Sequence, residues 1–204
     1  RSRGLGEVYK RQVQEIADAL KGVDIPVLVK NPINPDLALW LGGMERLQNS
    51  GLTRLGAIHR GFSSAGEKIY RNRPQWQIAI DFKTAMPELP MINDPSHITG
   101  RRDMLFKVAQ KAMDLNFDGL IIESHINPDA AWSDAAQQIT PEVYGQLISD
   151  LVIRDNDPKD LKEKTKLDRM RKEIDMIDEE IMNILASRMK IAREIGLYKK
   201  ENNM

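Results

Sequence analysis

The chain has no cysteine among its 204 residues, which excludes a disulfide framework. It has no excess charge either: thirty Lys and Arg side chains offset thirty Asp and Glu, so no field of one sign draws it to nucleic acid or to an anionic membrane. No apolar stretch reaches the roughly 18 residues of a membrane span, and none resembles a secretory signal. Together these absences point to a cytoplasmic protein that binds neither nucleic acid nor membrane. At 23.2 kDa there is room for one good core, or for one domain with an appendage. A start methionine is also missing, and the chain stops at Asn202-Asn203-Met204 without a helix terminus; a fragment is expected. Residues 1–12 resemble translated sequencing-adapter read-through and are set aside from the fold reasoning, a native basic arm being the alternative.

What the chain does have is alternation. From Val13 to Leu151, helical and β-rich runs follow one another. Gln14–Lys21 is helical and Ile25–Lys30 a strand; Pro35–Gln48 is helical with Leu37, Trp40, Leu41, Met44 and Leu47 on one face; Leu55–Arg60 is the second strand. A polar loop, 61–73, and a mixed segment, 75–86, lead to a third strand at Leu89–Asn93. Helix 102–115 carries the apolar stripe Leu105, Val108, Ala109 and Ala112, strand four spans Gly119–Glu123, and Pro141 opens a last helix to Leu151. Nearly all-apolar strands separated by helices predict an α/β fold with a parallel sheet covered on both faces, built from about four βα units of the (β/α)8, or TIM barrel, type. Residues 155–166 read as a charged linker. From 167 to about 200 one long helix follows, with Met170, Ile174, Ile177, Ile181, Ile184, Ile191 and Ile195 at alternating spacings of four and three, a seam that must pack on other helices.

A (β/α)8 barrel carries its chemistry at the carboxyl ends of its strands, and Lys30, Arg60, His97 and Glu123 sit at those four ends. His97, Glu123 and Asp134 are placed where three metal-binding side chains converge, and one imidazole with two carboxylates suits Mn²⁺, Fe²⁺, Zn²⁺ or Co²⁺ better than a hard ion. The plainer reading of His97 is a histidine that satisfies loop carbonyls. Lys30 and Arg60, cations on adjacent strands without carboxylate neighbours, favour a phosphate or carboxylate and hence a phosphorylated substrate; solvated rim charges are the alternative. Arg101 and Arg102 stay outside the set, and His59 and His125 are at most neighbours of the site. On the long helix Arg188 occupies an apolar seam position, and a cation there needs a partner. Lys199 lies three turns on, about 16 Å along nearly the same face, so the two can close on a small dianion. Arg171 is roughly 25 Å from Arg188 along the axis and would serve a second site in an antiparallel dimer. A coiled-coil strand with one tolerated arginine explains the same pattern.

Several motifs also carry a family resemblance. Val29-Lys30-Asn31-Pro32, Ile58-His59-Arg60-Gly61, Asp94-Pro95-Ser96-His97 with Gly100-Arg101-Arg102-Asp103, and Glu123 with Ser133-Asp134 resemble the second half of a type I-beta 3-deoxy-D-arabino-heptulosonate 7-phosphate (DAHP) synthase. Leu167-Asp168-Arg169-Met170-Arg171, Ile177-Asp178, Arg188 and Lys199 resemble the first helix of an all-helical chorismate mutase. The order is that of bifunctional synthase–mutase fusions of aromatic biosynthesis. The resemblance implies the second half of a TIM barrel followed by one mutase helix, and a metal-dependent condensation of phosphoenolpyruvate with erythrose 4-phosphate. It implies His97, Glu123 and Asp134 as metal ligands and Lys30 and Arg60 as holders of phosphoenolpyruvate. For chorismate rearranging to prephenate it implies Arg171, Arg188 and Lys199 as substrate contacts, Arg171 reaching across a homodimer. The family's fourth metal ligand is a cysteine on an early strand; this chain has none and only four of eight βα units, so by itself it is expected to be inactive. A 3-deoxy-octulosonate 8-phosphate type synthase and a non-catalytic, helix-mediated interaction protein are the rival readings.

Overall fold

The four apolar runs become four parallel strands in a computed structural model, which describes residues 3–154, 161–202 and 204. The chain divides into two units, one ending at Arg154 and one beginning at Asp155. In the first, β1 (Val27–Lys30), β2 (Leu55–His59), β3 (Met91–Asn93) and β4 (Gly119–Leu120) lie in sequence order. Val27 pairs with Leu55, Ala57 with Met91 and Ile92 with Gly119. Before β1 comes α1 (Arg3–Ala19); between the strands run α2 (Leu37–Asn49), α3 (Trp76–Ala85), the single turn α4 (Pro95–Thr99) and α5 (Leu105–Asp114), and after β4 comes α6 (Pro141–Asp150).

Side chains alternate across a strand, and here one set goes to the helices. Val29, Leu55, Ala57 and Met91 join Trp40, Met44 and Leu47 of α2, Phe82 of α3 and Ala112 of α5 in one buried cluster, where Trp40 stacks on Phe82 at 4.2 Å between ring centroids. The helices cover one face of the sheet rather than both, and on the other Leu28 and Ile121 remain 49% and 39% exposed. The sequence pattern cannot separate these cases, because the inner face of a barrel wall needs the same apolar residues as a helix-covered face.

Strand boundaries differ from the sequence reading by one to three residues, strand four most of all. Strand three ends at Asn93 as expected, because Asp94 caps α4, its Oδ1 accepting from the His97 N–H at 3.0 Å, with Pro95 at the first helical position. Strand four is cut short because the Glu123 N–H is taken by Ser96 Oγ at 3.0 Å instead of a neighbouring strand. Arg60, His97 and Glu123 therefore lie just beyond strands, and only Lys30 is a strand's last residue. In the N-terminal segment set aside above, α1 is helical from Arg3, and Tyr9 packs against the cluster with burial pushing its phenol up to about 12.

In the second unit α7 spans Leu161–Glu201, so helix replaces the last part of the expected linker. Lys-, Glu- and Leu-rich sequence favours helix even without an apolar face; residues 155–160 of that linker lie outside the described residues. The seam from Met170 to Ile195 is exposed throughout, Ile184 most of all at 67%. Among the described residues no helix is long and apolar enough to cross a membrane.

Candidate metal centre

The centre is organised around Asp94, a carboxylate only 2% exposed. Its Oδ2 lies 2.9 Å from His97 Nδ1 and 3.2 Å from Lys30 Nζ. Burial alone would raise this carboxyl group; the imidazole and backbone N–H of His97 together with the Lys30 ammonium outweigh it and hold Asp94 below its usual range. With Nδ1 turned to Asp94, His97 presents Nε2 to the opening. Nε2 lies 3.7 Å from Glu123 Oε1 and 3.9 Å from Asp134 Oδ2.

Each of those two carboxylates uses its other oxygen for support. Glu123 Oε2 accepts from Gln137 Nε2 at 2.7 Å, and Asp134 Oδ1 accepts from Arg71 Nη1 at 2.6 Å. The same Nη1 donates to Gln137 Oε1 at 2.7 Å. Asp134 itself sits at φ 51°, a left-handed conformation that Asp tolerates better than most residues. Arg102 pins the loop that carries it, donating to the carbonyls of Gln138 at 2.7 Å and Ala135 at 2.8 Å and to Asp129 at 2.6 Å.

One ligand atom from each of His97, Glu123 and Asp134 falls within 4.8 Å of the others. Bonds of about 2.0–2.2 Å to nitrogen and oxygen put donors roughly 3–4 Å apart around one ion, so this spacing fits. A neutral imidazole with two carboxylates also leaves two negative charges facing one another, which a divalent ion would neutralise. The donor set and the separations therefore suit a borderline divalent cation.

The two expected anion-binding cations differ in their surroundings. Lys30 was expected to have no carboxylate neighbour, yet it pairs with Asp94; the sequence hides this because the two residues meet only through the β1–β2–β3 register. Arg60 matches the expectation better. Its guanidinium makes no ion pair or hydrogen bond among the described residues, and its backbone N–H is fixed by Asn31 Oδ1 at 2.7 Å. Burial lowers its pKa, while Asp94 and Asp134 act to raise it and Arg71 to lower it further, so Arg60 stands in the electrostatic field of the centre. Arg101 is spent on Asp103, with two contacts of 2.6 Å.

His59 belongs to the core. Its Nε2 donates to the Pro74 carbonyl at 2.6 Å, Nδ1 accepts from Asn93 Nδ2 at 3.0 Å, and burial lowers its pKa to about 4. His125 bonds within its own turn, accepting from the Asn127 N–H at 3.0 Å. Sequence reasoning missed Asp94, Ser96, Arg71 and Gln137. Asp94 had a signal in the Asp-Pro pair that opens a helix. Arg71 had none, for it lies in a polar loop that reaches the centre by backbone bonds to the end of α4: Arg71 N–H to Thr99 O at 3.3 Å and Asn72 N–H to Ile98 O at 3.1 Å.

Comparison with known proteins fits this geometry. The sequence model of the DAHP synthetase I family matches residues 9–163. The chain belongs to the DAHP synthetase I family. The match begins inside the segment 1–12. A phospho-2-dehydro-3-deoxyheptonate aldolase from Thermotoga maritima is 31% identical over 126 residues, 62% of this chain and 37% of the relative. Two solved structures from Thermotoga maritima are similar at a TM-score of 0.58 and 29% identity over 69% of this chain. One is a truncated form of 3-deoxy-D-arabino-heptulosonate 7-phosphate synthase, 51% covered, and the other a phospho-2-dehydro-3-deoxyheptonate aldolase (DAHP synthase), 40% covered. The chain spans about half or less of the length of these relatives. Its four parallel strands are part of a TIM barrel of that family.

Residues 170–204 match a second family, chorismate mutase type II. On α7, Arg188 and Lys199 share a face with the exposed seam, and neither has an ion-pair partner among the described residues. Arg171 lies 3.4 Å from Asp168. The helix does not bring Arg171 near the other two; its distance from Arg188 is the roughly 25 Å set by helical rise.

Proposed function

We propose that the first unit supplies the metal-binding part of a DAHP synthase site in which phosphoenolpyruvate condenses with erythrose 4-phosphate. The observation that carries this reading is the convergence of His97 Nε2, Glu123 Oε1 and Asp134 Oδ2 beside the unpaired guanidinium of Arg60. In it, His97, Glu123 and Asp134 hold a divalent ion, of which Mn²⁺, Fe²⁺, Zn²⁺ and Co²⁺ are the candidates. When bound, such an ion supplies Lewis acidity at the aldehyde of the sugar phosphate. Arg60 binds the phosphate or carboxylate of phosphoenolpyruvate from a half-buried position, where a charge-assisted bond is worth more than in open water. Lys30 adds a second cation, weakened as an anion holder by Asp94. Charge building on the departing phosphate is stabilised by these two side chains.

The second unit contributes Arg171, Arg188 and Lys199 to a chorismate site that forms when α7 pairs with further helices, in a homodimer that buries the apolar seam. Cations placed around chorismate bind its carboxylates and hold the compact geometry from which it rearranges. By itself the 204-residue chain is proposed to be inactive in both reactions, with no cysteine to complete the ligand set.

The test is Mn²⁺ titration followed by electron paramagnetic resonance, with ³¹P relaxation of added phosphoenolpyruvate as the second measurement. Mn²⁺ binding that is lost in His97→Ala, and ³¹P relaxation that is lost in Arg60→Ala while Mn²⁺ stays bound, are the expected results. Unchanged Mn²⁺ binding in His97→Ala would rule out this centre. Arabinose 5-phosphate turning over in place of erythrose 4-phosphate, in a longer protein containing this chain, would favour the octulosonate-type synthase instead.

A further inference from the structure

Glu123 and Asp134 share an arrangement that their identity as carboxylates does not require: in each, one oxygen faces His97 and the other is tied to a common support. The support is a single chain of bonds. Arg71 Nη1 donates to Asp134 Oδ1 and to Gln137 Oε1, and Gln137 Nε2 donates to Glu123 Oε2. Because the Gln137 carbonyl is engaged by Arg71, its amide nitrogen has to point at Glu123, so the guanidinium orients one carboxylate directly and the other through the amide. Gln137 is 1% exposed, which leaves water little access to compete for these bonds.

Arg71 is held to this task by its backbone. Its N–H bonds to Thr99 O, satisfying a carbonyl left over at the end of α4, and its stem passes over Gly100, where φ is 66° and a Cβ would come within 2.7 Å of Arg71 Cβ. The position therefore demands glycine twice, for conformation and for room.

We propose that Arg71, acting through Gln137, is a positioning residue that makes Glu123 and Asp134 single-oxygen ligands and so biases the centre toward compact transition ions and against Ca²⁺. This rests on the metal reading given above. Ca²⁺ seeks six to eight oxygens at about 2.3–2.6 Å and uses carboxylates with both oxygens. With both outer oxygens already accepting hydrogen bonds, the centre offers one nitrogen and two oxygens, a set that suits Mn²⁺, Co²⁺ or Zn²⁺. Removing the support frees each carboxylate to rotate and to offer its second oxygen.

The experiment follows Mn²⁺ binding to the 204-residue chain by electron paramagnetic resonance, with Ca²⁺ as competitor, in the parent, Arg71→Met, Gln137→Met and His97→Ala, each checked by circular dichroism and thermal melting. Loss of an orienting partner of this kind weakens metal binding about 10- to 100-fold, so both Met variants should bind Mn²⁺ more weakly. The decisive readout is the preference for Mn²⁺ over Ca²⁺, which should fall on the order of tenfold, a change that general loosening would not direct toward one ion. Folded Arg71→Met and Gln137→Met proteins with the parent's preference overturn the inference while His97→Ala, losing Mn²⁺, leaves the metal reading standing. Where Arg71→Met melts below the assay temperature, Gln137→Met alone decides. Parent-like binding in His97→Ala, or no Mn²⁺ binding by the parent, overturns the metal reading and this inference with it.

Discussion

The metal-centre cations and the cations of α7 present opposite situations. Arg71 and Lys30 end on carboxylates, and Arg60, though unpaired, is half-buried with its backbone fixed by Asn31. Arg188 and Lys199 stand on an exposed helix whose apolar seam is also exposed. Groups that must hold a ligand in one geometry gain from being fixed beforehand. The first unit therefore carries its own support for the chemistry proposed for it, whereas the cations proposed for a second site on α7 have no such support within the helix.

The sharpest test of that difference is in packing. Trp40 is fully buried and stacked on Phe82, so Trp40→Ala should destabilise the first unit by about 3–5 kcal/mol, read by urea denaturation with tryptophan-independent circular dichroism. Ile181→Ala on α7, at 48% exposure, should leave that transition where it is and lower only concentration-dependent helicity. Equal effects of the two substitutions would erase the contrast.

A second test uses pH. His59 is neutral in the folded first unit, with a pKa lowered from 6.5 to about 4, so between those values the unfolded chain binds a proton that the folded chain refuses. Stability is then complete above 6.5 and declines as pH falls toward 4, by up to about 3 kcal/mol from this group. Denaturation midpoints measured from pH 7 to pH 4 should show the decline, and His59→Gln should flatten it. An unchanged slope in that variant would place the acid sensitivity elsewhere.

Much of the proposed centre was legible because its ligands follow short apolar runs: His97 and Glu123 come soon after β3 and β4, and Asp134 lies in the polar loop that follows. The support was not legible, since Arg71 reaches Asp134 from a loop that is closed by the Phe62–Arg73 bridge and stitched to α4 by backbone bonds, which leave no periodicity to read. Asp94 was visible as a residue but not as the partner of Lys30, because that contact spans 64 positions. The strands were legible in type and order. The ends of strands one and three were legible too, but that of strand four was not, since the Ser96 hydroxyl takes the Glu123 N–H where the sequence suggests an apolar continuation through Ile121 and Ile122.

A third prediction probes the support without touching a ligand. Gly100→Ala forces a Cβ to within 2.7 Å of Arg71 Cβ at a positive φ, and both effects destabilise; a cost above about 1 kcal/mol is expected, together with weaker Mn²⁺ binding as Arg71 is displaced. The same substitution at Gly196 of α7, where an added Cβ meets nothing within 4 Å, should instead raise helix stability by up to about 1 kcal/mol. Helicity and melting of the two variants, measured side by side, set a strained turn against an unconstrained helix.

The smallest expected effect is at Arg188. No side chain among the described residues holds it, so Arg188→Ala should change the helicity of α7 by no more than about 0.5 kcal/mol. Its consequence for association separates two readings of the seam. If α7 is only a coiled-coil strand, removing a charge from between Ile184 and Ile191 removes a desolvation cost, and sedimentation equilibrium should show tighter self-association. If the seam is built around a bound dianion, self-association should hold steady while chorismate turnover disappears in a longer protein containing the remaining mutase helices, because the lost group is one that the dianion, rather than the neighbouring helix, requires.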